Sequence, residues 1–384
     1  FIVMTNWLLP LWLGARARLT LYAIPQCTFS ENGTYFNMKG QQSTLDPQGP
    51  IAANQAELFY LILGVTVFLF IAVGGTLAFA IWRFREKKDD DPNYIPAQSH
   101  GHPLIEGGLV LASTVLLVII AIPTFGGIIL KSNVPEEFAA DAIEVNVTGY
   151  RWWWGFEYPE HGFHTANEVV FPAGRAVKLN LVADDVIHSF WLPKLAGKVD
   201  LIPGQQNSIW IKADEPGYFW GQCAEYCGDS HAYMLFRARA LNEKDWEKWL
   251  ATQQKNTVEP GANYLPVSAS AASTELTEQI KHGAELFVEN CVRCHSVDSK
   301  VQTMGPNLAH FGSRSSIAAG WLENEPQNLH RWIKEPEQIK PGNYMWYGFP
   351  NPQRPGEVLM EGLKDAELSD TEVDALVVYL STLK

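Results

Sequence analysis

Cysteine is scarce, with five residues in 384, and basic side chains are outnumbered, 29 Lys and Arg against 42 Asp and Glu. The resulting net charge of -13 argues against a nucleic-acid partner and favours a neutral or basic docking partner. No internal repeat is visible. Long apolar runs are equally few. Leu58 to Trp82 and Gly107 to Leu130 are the two stretches long enough to cross a bilayer core of about 30 Å, so most of the mass is expected to be aqueous. At this length the usual prior of roughly 150 residues per domain gives two or three domains.

The two apolar runs predict a transmembrane hairpin over 51–131, with spans at about 58–82 and 107–130. Arg83, Arg85, Lys87 and Lys88 follow the first span, and an excess of basic residues marks that end as cytoplasmic. The N-terminus and everything after Lys131 then lie outside. Residues 1–50 read as an N-terminal segment, a possible export remnant: Trp7 to Ile24 is apolar but broken by Arg16 and Arg18. The YAIPQC stretch ending at Cys27 faintly resembles a lipid-attachment sequence with a poor small-residue pattern, and the role of Cys27 stays open.

From 132 to 250 the pattern changes to short alternating segments. Ile143, Val145 and Val147, then Val177, Leu179 and Leu181, are separated by polar residues and punctuated by Pro and Gly, which predicts an all-β, antiparallel sandwich or barrel of cupredoxin size. Residues 251–274 are rich in Ala, Ser, Pro and Asn and read as a linker. Residues 275–384 read as helical, with Ser369 to Leu383 carrying a capping residue and apolar positions on one stripe.

Two clusters carry chemistry. Cys223, Cys227, His231 and Met234 fall within twelve residues, and two thiolates, an imidazole and a thioether form a ligand set suited to copper and fast electron transfer. A disulfide, or a helical stripe at spacings of four, four and three, is the bland alternative. Gly228, Asp229 and Ser230 favour a loop between strands instead. His188, in DVIHSFWLP near a strand end, is a candidate further imidazole. Cys291, Cys294 and His295 form C-x-x-C-H, the attachment sequence of a c-type haem, whose His sits under the iron. Three Met follow. Met304, Met345 and Met360 are each a candidate for the distal position or a core residue. The run Tyr150 to Trp154 holds three adjacent Trp, and period-two alternation predicts at least one of them exposed.

Residues 51–240 resemble subunit II of the haem-copper cytochrome c oxidases in the hairpin, in YRWWWGFEYP, DVIHSFWLP and KVDLIPG, and in CAEYCGDSHAYM. With the C-x-x-C-H domain added, the layout resembles the caa-type, in which subunit II carries a fused cytochrome c. The resemblance implies a multi-domain membrane protein: a two-helix hairpin, a cupredoxin-like copper A domain and an all-α class I cytochrome c domain. It implies that Cys223 and Cys227 bridge two coppers, His188 and His231 cap one each, Met234 is a weak ligand, and Glu225 contributes its backbone carbonyl. It further implies Trp152 as the point where electrons reach the copper, Glu225 as a magnesium ligand at the junction with subunit I, and Glu106 near the mouth of a proton pathway. Haem c would be held covalently by Cys291 and Cys294, with His295 and Met345 as axial ligands. The implied activity is electron input from cytochrome c or an upstream complex to an oxygen-reducing subunit I in a prokaryotic plasma membrane. A copper A subunit of a nitric oxide reductase is the alternative.

Overall fold

The structure, a computed structural model, describes residues 42–85, 95, 101–258, 264–268, 273–351, 353–354 and 356–384. Cys27 and most of the N-terminal segment lie outside the described residues, as do Lys87 and Lys88. Helix α1 runs Pro50–Phe84 and α2 Pro103–Ser132, each with Pro in the first turn, where its missing N–H costs no helical bond. Their 35 and 30 residues give lengths of ~52 and ~45 Å, more than a bilayer core requires. Both therefore overshoot the spans read from the sequence. The surplus at one end is tied to the β domain: Ile51 and Ala52 are buried, Gln48 N donates to Lys194 O (2.8 Å), and Trp210 Nε1 donates to Leu130 O (2.9 Å). Arg83 and Glu106 consequently sit at the opposite end of the hairpin.

A short helix α3 (Glu136–Ala139) leads into the β domain, with strands β1 (Ile143–Tyr150), β2 (Trp153–Tyr158), β3 (Phe163–Ala166), β4 (Glu168–Pro172), β5 (Val177–Ala183), β6 (His188–Trp191), β7 (Lys198–Leu201), β8 (Asn207–Ile211), β9 (Gly217–Cys223) and β10 (Leu235–Leu241). They form two five-stranded sheets, ordered β3-β2-β1-β5-β8 and β4-β10-β9-β6-β7. Alternation places Val145, Val147, Leu179 and Leu181 in the core, where Trp154 meets Phe190 and Phe236 edge-on. The sheets are mixed rather than antiparallel. β1 runs parallel to β5 and β4 parallel to β10, a distinction that period-two patterning does not carry, because it reports faces and not strand direction.

Helix α4 (Glu243–Gln253) closes the β domain with Trp246 buried. The C-terminal part holds α5 (Thr274–Asn290), the ladders β11 (Ser316–Ile317) with β12 (Leu322–Glu323), helices α6 (Pro326–Lys334), α7 (Pro336–Ile339) and α8 (Tyr344–Tyr347), β13 (Phe349–Pro350) with β14 (Val358–Met360), and α9 (Asp370–Thr382). Ser369 and Glu372 form a reciprocal capping box at the start of α9. α5 crosses α9 closely enough that a Cβ on Gly283 would fall 2.2 Å from Ala375 O, so the crossing needs glycine. In the segment read as a linker, Gln253 and Thr257 are buried, and Thr257 Oγ1 donates to Val297 O (2.8 Å).

The expectation of an exposed tryptophan fails. Trp152, Trp153 and Trp154 are all buried, at 6, 7 and 0 % exposure. Trp154 faces the sandwich core, while Trp153 stacks on Tyr150 (4.2 Å between ring centres) and packs with Ala319. Trp152 lies under Gly342 and beside Tyr344. Alternation along β2 does send Trp153 and Trp154 to opposite faces, but the C-terminal part covers the outer one, and Trp152 lies in the turn before the strand.

Candidate metal and haem centres

Strand β6 begins at His188 and β9 ends at Cys223, and the loop between β9 and β10 returns through a 3-10 turn at His231–Tyr233. Cys223 N donates to Met234 O (2.9 Å), and Ala224 N to Ser189 O (3.0 Å), which pins both ends of the loop to the sheet. The predicted ligands converge there. Cys223 Sγ lies 3.8 Å from Cys227 Sγ, 3.9 Å from His188 Nδ1 and 3.2 Å from Glu225 O. Cys227 Sγ lies 3.6 Å from His231 Nδ1 and 3.8 Å from Met234 Sδ. His188, Cys223, Cys227 and Met234 are buried, whereas the Glu225 side chain is exposed.

The pair of thiols is a poor resting arrangement without a cation. The neighbouring Cys227 thiol favours loss of the first proton, pulling Cys223 down, and that thiolate in turn pushes Cys227 far up. Two thiolates so close in a buried loop need positive charge between them, and soft divalent or monovalent copper supplies it. The donor set therefore fits a copper pair.

A residue the sequence reading missed orients the site. Asp185 Oδ1 lies 2.9 Å from His188 Nε2, leaving Nδ1 to face Cys223, and its Oδ2 accepts from Arg151 N (2.8 Å) and Arg151 Nε (3.3 Å). Burial alone would raise the Asp185 carboxyl, but the bonds from His188, Val186 N and Arg151 N hold it below its usual range. Its spacing three residues before His188 was the available signal. Outer carboxylates of this kind typically contribute 10–100-fold to metal affinity. Asp185→Ala should therefore weaken copper retention by about tenfold or more in competition with a chelator, with Asp185→Asn intermediate.

The second centre forms where α5 ends. His295 N and Cys294 N both donate to Cys291 O (2.9 and 3.1 Å), so a tight turn brings the three motif residues to one side. His295 Nδ1 lies 2.7 Å from Pro306 O, which fixes the tautomer and leaves Nε2 free, and burial pushes the imidazole toward its neutral form. A largely apolar cavity is lined by Cys291, Cys294, His295 and Met345, and also by Trp152 and Lys340. Cys223, Cys227, Cys291 and Cys294 are all free thiols, so neither pair is a disulfide. Paired vinyl-reactive thiols, a neutral imidazole with a free nitrogen and an apolar slot fit a covalently held haem. Met360 lies on β14 with its sulfur 3.0 Å from Cys294 Sγ.

Trp152 joins the two centres. It lines the cavity, and its Nε1 donates to Cys227 O (3.0 Å). Lys340 Nζ donates to Trp152 O (2.6 Å), and burial lowers its pKa to about 7. No pattern in the sequence singled out Lys340. Glu106 lies in the first turn of α2, remote from both centres.

A helix-anchored sandwich whose two-thiol loop fits copper, beside a pocket that fits haem, defines a membrane-bound electron-transfer protein. Family models agree: the cytochrome c oxidase subunit II transmembrane domain matches residues 37–126, the periplasmic domain of that subunit 162–240, and cytochrome c 280–384. Cytochrome c oxidase subunit 2 of Alkalihalophilus pseudofirmus is 35% identical over 89% of this chain and 91% of its own length; that of Bacillus subtilis is 34% identical over 89% and 92%. The periplasmic domain of subunit II of cytochrome oxidase from Bradyrhizobium japonicum is 34% identical, covering 29% of this chain and 91% of that one, with a TM-score of 0.28. The chain belongs to the cytochrome c oxidase subunit II family, in the form that carries a fused cytochrome c domain. Its cofactors are copper A and haem, and two helices span the membrane.

Proposed function

We propose that this chain is the electron-input subunit of a caa-type cytochrome c oxidase. It accepts electrons from cytochrome c or an upstream complex at haem c and passes them by way of copper A to subunit I, where oxygen is reduced to water with proton pumping. When bound, the two groups supply one-electron carriers; the chain's residues hold, orient and insulate them. Cys223 and Cys227 would bridge the coppers, His188 and His231 would cap them, and Met234 and the Glu225 carbonyl would complete the set. Cys291 and Cys294 would form the thioethers, with His295 and Met345 on the iron. The observation that carries this reading is the position of Trp152, one side chain that walls the haem cavity and hydrogen-bonds the carbonyl of Cys227.

Further assignments follow the same reading. The exposed Glu225 carboxylate is a hard oxygen ligand available to magnesium at the subunit I junction. Glu106 would stand near the mouth of a proton pathway. The excess of basic residues that follows the first span, Arg83 and Arg85 among them, supports a topology with the soluble domains and the N-terminus outside a prokaryotic plasma membrane. Subunit I, the other oxidase subunits and lipid are the lasting partners. The nitric oxide reductase alternative has no support from the relatives named above. Membranes containing the chain should consume oxygen with cytochrome c as donor, and the chain should co-purify with a large haem-bearing subunit. Turnover of nitric oxide in place of oxygen would overturn the reading.

A further inference from the structure

The face of the β domain that meets the C-terminal part carries a row of residues suited neither to a free surface nor to a core. Glu168, Arg237 and Trp220 are register neighbours across β4, β10 and β9. They point away from the sandwich core, yet Glu168 and Arg237 are 4 and 1 % exposed. A single oxygen, Glu168 Oε1, accepts four bonds from the cytochrome domain: from Ser315 N (2.8 Å), Ser315 Oγ (2.6 Å), Ser316 N (2.9 Å) and Ser316 Oγ (3.1 Å). Arg237 stacks on Trp220, its Cζ 3.3 Å from the ring centre, and donates through Nη2 to Gly320 O. Tyr218 on β9 adds a hydroxyl bond to Ser315 Oγ (2.8 Å). A buried carboxylate and a buried guanidinium are costly unless their bonds are made. Here their main partners belong to another domain, so undocking would strip both at once.

We propose that Glu168 and Arg237 form an interdomain latch that keeps the cytochrome domain docked through turnover, with its haem pocket against Trp152. They are positioning residues, on β4 and β10, lining neither the haem cavity nor the thiol loop. Two contacts near the copper loop complete the clamp: Ser230 Oγ donates to Pro341 O (2.6 Å), and Lys340 Nζ to Trp152 O (2.6 Å). The Trp152 face is then filled by this chain's own domain and closed to a soluble donor. Transfer between the two centres becomes a first-order step in a preformed geometry, without a docking search.

The inference rests on the electron-input reading, and the test separates the two. In the whole complex, hydrogen exchange would be measured at Ser315 and Ser316, together with the rate of haem oxidation by copper after flash reduction of the haem. In the wild-type chain the two amides should be protected, and the rate should not change with ionic strength or viscosity. Glu168→Ala strands four donors, so exchange at both amides should rise at least about tenfold, and the transfer rate should fall and become sensitive to viscosity. Glu168→Gln keeps the accepting oxygen but loses the charge that strengthens its bonds, so both readouts should fall between wild type and Glu168→Ala. The paired substitution Ser315→Ala with Ser316→Ala removes two donors from the other side and guards against a folding defect confined to the β domain; it should shift both readouts in the same direction. Unchanged exchange and rate in both altered chains, with haem and copper spectra intact, would overturn the latch. Protected amides in a wild-type chain whose haem never passes its electron to copper would overturn the electron-input reading and leave the docking contact standing.

Discussion

Replacing Cys227 by Ser should abolish the copper pair while leaving the haem in place. Serine oxygen is hard, weakly acidic and a poor bridge between soft metal ions, and Cys227 sits between Cys223, His231 and Met234, within 3.6 to 3.8 Å of each. The loss of copper should exceed the roughly 10–100-fold effect expected of an outer partner such as Asp185. The near-infrared band of a mixed-valence pair should vanish, and oxygen consumption should fall to background. The haem should still be reduced by its donor and remain reduced, because its electrons have no onward acceptor. Retention of normal oxygen uptake in the Cys227→Ser complex would show that the thiol pair is not on the path.

The second large effect concerns the haem. Met345 lines the cavity that also holds Cys291, Cys294 and His295. Met360 lies on β14 against Cys294 instead. A thioether opposite the imidazole stabilises reduced iron, and axial ligation commands a potential span of about 0.8 V across haem proteins. Met345→Ala should therefore lower the haem midpoint by a sizeable part of that span and slow reduction by a high-potential donor, with the thioether attachment unaffected. Met360→Ala should leave the midpoint near wild type. Redox titration of the two altered chains decides between them, and the reverse pattern would move the axial role to Met360.

Legibility in the sequence followed distance along the chain. The copper cluster is readable because Cys223, Cys227, His231 and Met234 share one loop, and the haem motif because Cys291, Cys294 and His295 share one turn. His188 lies 35 residues before Cys223, and it entered as a candidate through its strand-end position and the family resemblance. What escaped was everything made by domains meeting. Glu168 and Arg237 occupy the outward positions of alternating strands, where polar residues ordinarily mean solvent. Their partners lie roughly 80 to 150 residues away, beyond any local pattern. Trp153 was misread for the same reason: alternation assigned it the outer face correctly, but nothing local reports what covers that face, and Trp152 lies in the turn before β2, outside the alternation. Lys340 is the clearest case, a lysine in a Pro-Gly turn that reads as exposed and is instead 4 % exposed against the Trp152 peptide.

One chain would thus hold a two-copper thiolate site and a covalent haem, with Trp152 lining the haem cavity and bonded to the thiol loop. Metal and haem quantitation on the purified chain, read with its near-infrared and visible spectra, decides whether it does. Two coppers and one covalently attached haem per chain are expected, with a mixed-valence band beside a c-type haem spectrum. A single copper without that band, or none, would contradict it.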